Sequence, residues 1–415
     1  MKKLVTLLLA LMMILGMTCV SAEEQDPVNI VFWHTYGEGE LAALEEYVMP
    51  AFAEEYPWIT VEVVAMPYDQ LKQQVIMGVA SGTAPDLMRM DIIWVPEFAA
   101  MGALVAVDEL EGFAELKDQF FPGPLSTNYY GGHYYGLPLN TNTKTGIWNK
   151  AMMEKLGLTE PPATYDELIA LADKLGEGEY LIASDGANTW GLAPYFYSLG
   201  GSYTDPEVTK ATGYMNSPES VAAIETIVKW YDEGIMAPSV LGGEPDKNTG
   251  LFNDLVLVGD EGPWMFTGNT EEDLAHVEAG LLPAGPAGSL SVVGGENLVM
   301  FESGANNEAA WIFAQFLMGD YSQTIMATKG GLVPTIQHVA ESEEVSGSSY
   351  IAAYTEQLST AVARTPSPIW EKMSDKVGNF FASALRHEIT DYQAALDELA
   401  AEVDVMIAEA NAAEK

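Results

Sequence analysis

The sequence is poor in cysteine, in basic residues and in histidine, and each shortage removes a class of function. One cysteine, Cys19, in 415 residues leaves no disulfide framework and no cysteine-pair metal site. Lys and Arg together number 18 against 60 Asp and Glu, a formal net charge of −42. A field of that sign repels phosphate backbones and anionic lipid surfaces, which argues against nucleic acid and membrane partners. It fits a strongly solvated exported surface, with an acidic docking patch for a basic partner as the alternative. The five histidines are scattered, and HExxH, EF-hand, GxSxG and GxxxxGK[ST] patterns are all missing. No metal, no cofactor and no catalytic residue is therefore expected. Carboxylates are so abundant that an acid/base pair has no distinctive spacing to be recognised by.

Long apolar runs are also missing, so no segment is expected to span a bilayer. The run from Leu4 to Leu15, preceded by Lys2 and Lys3 and followed by Val20-Ser21-Ala22, reads as a secretory signal peptide over 1–22, with Glu23 as the mature start. Lipidation of Cys19 is the rival reading. Gly16-Met17-Thr18 fits a lipobox poorly, because the usual leading leucine is absent.

What is present is an apolar fraction of 48% and 10% aromatic residues, a composition for globular folding, over a length that accommodates two domains. VNIVFW from Val28 is a strand ending at His34-Thr35, and Leu41, Leu44, Val48 and Phe52 then recur at helical spacing. A strand from Val61 to Ala65, a helix marked by Leu71, Val75 and Val79, and a short strand from Leu87 to Asp91 follow. That alternation predicts an α/β fold with a doubly wound parallel sheet, whose ligands lie beyond the carboxyl ends of the strands. Tyr129-Tyr130-Gly131-Gly132-His133-Tyr134 predicts a hairpin, and Pro138 sends the chain on as an extended run through Asn140, Thr141, Asn142 and Thr143. This polar run reads as a crossing between two lobes. Leu281–Pro286 and Gly330–Pro334 read as two further crossings.

Beyond the first crossing, Thr164 and Glu167 form a capping box, and Ser217 caps a helix carrying Val221, Ile224 and Val228. Trp190, Tyr195, Tyr197 and Tyr203 fall in a Gly-rich segment without clear period, which reads as loops presenting aromatic faces. Gly294-Gly295-Glu296-Asn297 reads as a turn entering a buried strand. The last helix is amphipathic through Tyr392, Leu396, Leu399, Val403 and Ile407.

The aromatic residues supply the functional pointers. Trp33 adjoins His34-Thr35, Trp94 follows Asp91, and Trp264 follows Gly262-Pro263. A ring beside short polar groups suits a sugar, whose C–H face stacks while its hydroxyls take hydrogen bonds. Against this, a tryptophan most often simply packs, and His34 reads equally as a satisfied structural histidine. Glu296, partly buried after two glycines, needs donors, which sugar hydroxyls or the protein's own N–H groups would supply equally well.

FWHTYGEGE, SGTAPDLMRMDIIWVPEFAAMGAL, YYGLPLNTNTKTGIWNK, LTEPPATYDELIALADKL, GPWMF, LPAGPAG, GGENLVM and GGLVPT occur in this order across nearly the whole chain. Together they resemble the bacterial extracellular solute-binding proteins of family 1, the maltose-binding-protein-like sugar receptors of ABC importers. The resemblance implies a two-lobed, type II periplasmic-binding-protein fold, each lobe a sheet flanked by helices, joined by three crossings. The first lobe would comprise 23–139 plus 289–330, the second 140–288 plus 331–415. It implies a monomeric, non-enzymatic receptor outside the cytoplasmic membrane that closes on a sugar or short oligosaccharide and is read by permease subunits. Ligand contacts carried over by motif fall on Trp33, His34, Asp91, Asn140, Trp264 and Glu296. Trp94, Trp190, Tyr195 and Trp370 join them on aromatic character. The chain departs from the family pattern at Asn253–Val258, just before Gly262-Pro263-Trp264. The alternatives are a polyol or glycerol-phosphate receptor, a secreted carbohydrate-active enzyme, and a structural surface protein.

Overall fold

The computed structural model describes residues 25–413 apart from 348, 365 and 366. The expected signal segment and Cys19 lie outside the described residues. Strand β1 (Val28–His34) buries Ile30, Phe32 and His34 on one face, as alternation requires. It pairs in parallel with β2 (Ile59–Ala65) on one side and β3 (Leu87–Asp91) on the other. The crossovers are helical. The first covers 38–55 and contains one π turn, Leu44–Val48. The second, Tyr68–Ser81, is closed by Gly82 in the left-handed conformation at φ 70°.

The hairpin forms as β4 (Tyr129–Tyr130) and β5 (His133–Tyr134), with Gly131 and Gly132 at φ 56° and 99°, the two positive angles a tight hairpin turn needs. Strand β6 (Leu137–Thr143) follows and is buried at every residue, so its polar run is the floor of the structure and not a solvated edge. The chain then enters a second sheet through β7 (Thr145–Asn149). There β8 (Tyr180–Ala183) and β9 (Val256–Glu261) run parallel, while β10 (Val277–Gly280) and β9 flank β7 antiparallel. Strand β11 (Ser291–Met300) returns to the first sheet, antiparallel to both β3 and β6, and β12 (Ala361–Val362) pairs with its start. Thr141 N–H donates to the Val333 carbonyl at 3.0 Å, which brings the first and last crossings together.

The sheets carry separate cores. Phe32, Phe52 and Phe313 interlock edge-to-face beneath the first, whereas Trp148, Tyr195, Trp370 and Val403 belong to the core of the second. Three local expectations are corrected. The aromatic segment around Trp190 is a helix, Thr189–Ser198, capped by Asn188, whose side chain accepts from the Gly191 N–H. It is buried nearly all round, which removes the apolar stripe that would have marked it. Gly294 and Gly295 lie inside β11 and not in a turn before it. Residues 332–351, expected with the second lobe, contribute Leu332, Ile336, Val339, Val345 and Ile351 to the first core. Among the described residues no helix is long and apolar enough to cross a membrane.

Candidate functional site

The carboxyl ends of the strands put charged side chains where the sheets approach one another. On the first sheet, Glu296 of β11 stands opposite Asp91 of β3 on one side and Asn140 of β6 on the other. Arg89, two residues before Asp91 and so on the same face of its strand, organises them. Its guanidinium donates to Glu296 Oε2 at 2.8 Å and Thr35 Oγ1 at 2.8 Å, and lies 3.4 Å from Asn140 Oδ1. Asn140 Nδ2 donates to the same Glu296 oxygen at 2.6 Å. The Arg89 guanidinium also sits 4.6 Å over the Tyr36 ring and 3.9 Å from Glu40. Burial raises the Glu296 carboxyl above the ordinary glutamate value in spite of the pull of Arg89, with Asp91 and Glu40 adding to the rise.

Asp91 accepts from the Tyr68 hydroxyl at 2.8 Å and from the Ile93 N–H at 3.0 Å. Tyr68 stacks on Trp94 with ring centroids 5.4 Å apart, so a buried tryptophan backs a half-exposed tyrosine. Arg364 reaches Asp91 at 3.8 Å, donates to the Val293 carbonyl at 3.0 Å, and lies 5.2 Å over the Trp190 ring.

The second sheet contributes a network of charges at the ends of β8 and β9. Lys144 and Lys247, both almost wholly buried, converge on Asp185, at 3.7 and 2.7 Å. Lys144 also pairs with buried Asp260, and Lys247 with Glu261. Asp260 accepts from the Tyr195 hydroxyl at 2.8 Å. Burial opposes ionisation of Asp185, but the two lysines outweigh it and hold the carboxyl below the ordinary aspartate value. Asp185 is also the network's most solvent-accessible side chain, 40% exposed. Trp190 covers Lys144 at 5.5 Å and stacks with Trp264 at 6.3 Å, 28° between planes.

Of the residues expected from sequence, Asp91, Asn140 and Glu296 form one constellation and Trp190 and Trp264 a second, with Arg364 between them. The other five are placed differently. Trp33 packs half-buried against the core that holds Leu71, Val75 and Trp94. His34 is 1% exposed, and its Nδ1 accepts the Tyr36 N–H at 3.0 Å. Burial, then the charge of Arg89, lowers it to about 4, so it is the neutral, structural form. Tyr195 and Trp370 are core residues, and the Trp370 indole N–H finds no partner among the described residues. Trp94 is buried behind the Tyr68 ring. Arg89, Lys144, Asp185 and Arg364 were not anticipated, although a charge inside the apolar strand LMRMD marks Arg89 as a buried, paired group.

A void of about 190 Å³ lies between the hairpin and the second half, bounded by Tyr129, Tyr130, Glu207, Ser367, Pro368 and Asn411, and a small one of about 10 Å³ lies within the first half beside Tyr36, Asn140 and Gln323. The described residues hold no cluster suited to a metal ion.

The family model for bacterial extracellular solute-binding proteins matches residues 48–355. The chain belongs to that family. A putative binding protein of Brucella abortus (strain 2308) is 26% identical over 371 residues, 87% of this chain and 89% of the relative. The maltotriose-binding protein of Pyrococcus abyssi is 28% identical over 366 residues, 82% of this chain and 74% of that one. Among solved structures, an ABC transporter solute-binding protein of Thermotoga lettingae, bound with α-D-tagatose, superposes with a TM-score of 0.80 at 27% identity, covering 91% of this chain and 99% of that one. The GacH receptor of Streptomyces glaucescens superposes at 0.81 with 23% identity, covering 92% and 98%. The two-lobed fold of this solute-binding protein is thus the one shared by those receptors.

Proposed function

We propose that this solute-binding protein is the extracytoplasmic receptor of an ABC importer and takes a sugar or short oligosaccharide between its lobes. The observation that carries the reading is the stacked Trp190–Trp264 pair beside Asp185, facing the Asp91–Glu296–Asn140 row of the other sheet. Aromatic faces accept the C–H side of a pyranose, and ionised carboxylates are strong acceptors for its hydroxyls. Closure is driven only by contacts better made when the lobes are together, so both halves are assigned to the ligand. Asp91, Asn140, Trp190, Trp264 and Glu296 are assigned direct contact, joined by Tyr68, Asp185 and Arg364. Trp33, His34, Trp94, Tyr195 and Trp370 are assigned support. The maltotriose-binding relative and the tagatose-bound structure agree with this chemistry.

A phosphorylated polyol fits less well. Arg89, Lys144, Lys247 and Arg364 all have carboxylate partners already, and Glu40, Asp91, Asp185, Asp260, Glu261 and Glu296 outnumber them. We further infer that the protein works as a monomer, hands its ligand unchanged to permease subunits, and has no hydrolase activity. Thermal unfolding against mono- and oligosaccharides, polyols and glycerol phosphate tests the reading. A ligand bound only by the folded chain adds about 2.7 kcal/mol at about 100 times its Kd. Stabilisation by a saccharide that is recovered intact supports the receptor. Stabilisation by glycerol phosphate alone, or turnover of the saccharide, overturns it.

A further inference from the structure

Lys72 has one carboxylate partner in each half of the molecule. It lies on the helix Tyr68–Ser81, one turn beyond Tyr68, and its ammonium is 2.7 Å from Glu97, which belongs to the same half. Its second partner is Glu371, on the first turn of the helix Trp370–Leu385, which packs in the core of the other sheet. All three side chains are between 20 and 33% exposed, so water thins around the cluster without leaving it. Burial works against the Lys72 charge, yet the bonds to Glu371 and Glu97 outweigh it and raise the group above an ordinary lysine.

We propose that the Lys72–Glu371 pair is a latch that holds the two lobes together at the mouth of the cleft, an inference that rests on the hinge-closing reading above. The arrangement is suited to reversible use. When the lobes part, Lys72 keeps Glu97 and is not stranded. Glu371 is left on the first turn of its helix, where the exposed N–H groups favour a negative charge. Neither member is buried alone in the open form, so breaking the pair forfeits the pair and little else. The latch also adjoins a ligand residue, since Lys72 shares a helix face with Tyr68, and on the other side Glu371 follows the core residue Trp370 and is anchored to the second half by it. Ligand and latch therefore favour the same closed state and reinforce one another.

The test uses the full chain with Glu371→Gln, Glu97→Gln and the double variant Lys72→Gln/Glu371→Gln, followed by small-angle scattering and by titration with maltotriose. Glu371→Gln is expected to enlarge the radius of gyration and to weaken maltotriose about fivefold, the upper range for a part-exposed pair. Glu97→Gln, which breaks only the contact within one lobe, leaves the lobe separation unchanged, and the double variant opens no further than Glu371→Gln. Salt at about 1 M opens the unaltered chain but not Glu371→Gln. An unchanged radius in Glu371→Gln, or equal opening by Glu97→Gln, overturns the latch. Opening by Glu371→Gln in a chain that binds no saccharide keeps the latch and overturns the sugar reading instead.

Discussion

Trp190 and Trp264 stack across the end of the second sheet, one half-buried and the other 37% exposed. Gly294 explains how Trp190 reaches that place, since a Cβ there would lie 2.8 Å from its ring. Buried behind by β11 and flanked by Lys144 and Arg364, Trp190 is fixed, and Trp264 offers the open face. Trp264→Ala is expected to weaken saccharide binding by about 2 kcal/mol, roughly thirtyfold, with little loss of stability. Calorimetric titration beside a urea melt separates the two effects. Undiminished affinity in the variant would remove the ring from the site.

Asp185 and Asp260 share Lys144 but differ in exposure, and the difference sets opposite outcomes for the same substitution. Asp185→Asn leaves Lys144 with Asp260 and Lys247 with Glu261, so both ammonium groups stay paired. Stability then changes by less than about 1 kcal/mol while ligand affinity falls. Asp260→Asn leaves Lys144 without its close buried partner and costs about 3–5 kcal/mol. Denaturant midpoints at constant m check both halves of the contrast. Equal destabilisation by the two would mean that Asp185 is simply another member of the buried network.

The strand–helix alternation, the hairpin and the placement of Asp91 and Asn140 were legible because each rests on local periodicity or turn chemistry. Gly131 and Gly132 are needed for positive φ whatever surrounds them. The rest of the site depends on partners distant in sequence. Arg89 meets Glu296 from 207 positions away, and Lys144 meets the Trp190 carbonyl from 46 positions away. His34 shows the reverse: its position at a strand end is readable, but only the Tyr36 N–H and the packed ring of Tyr36 reveal that it is occupied internally. The helix Thr189–Ser198 escaped because burial on every face erases the stripe on which helix recognition depends.

Arg89 holds the floor of the first half, and its removal is expected to be costly beyond the lost contact. Arg89→Met leaves Glu296 with the Asn140 amide alone, a buried carboxylate without its cation, at about 3–5 kcal/mol. Glu296→Gln in the same chain removes the stranded charge and restores part of the loss. A double-mutant cycle in urea measures the coupling. Additive losses would show that the two side chains act independently in spite of their 2.8 Å contact.

His34 supplies a pH dependence whose sign is fixed by its environment. Burial and the nearby Arg89 lower the folded imidazole to about 4, against an ordinary value of 6.5. Between those values the unfolded chain takes up a proton that the folded chain refuses. The contribution is therefore complete above about pH 6.5 and is lost as the pH falls toward 4, to a total of about 3 kcal/mol. Carboxylates held below their ordinary values, Asp185 among them, lose stability in acid as well, so the comparison has to be made by difference. His34→Asn keeps an acceptor for the Tyr36 N–H and removes the titration. Urea unfolding from about pH 7 to about pH 4 should show the variant falling less steeply than the unaltered chain, by about that amount. Parallel curves would mean that the folded protein accommodates a charged imidazole beside Arg89.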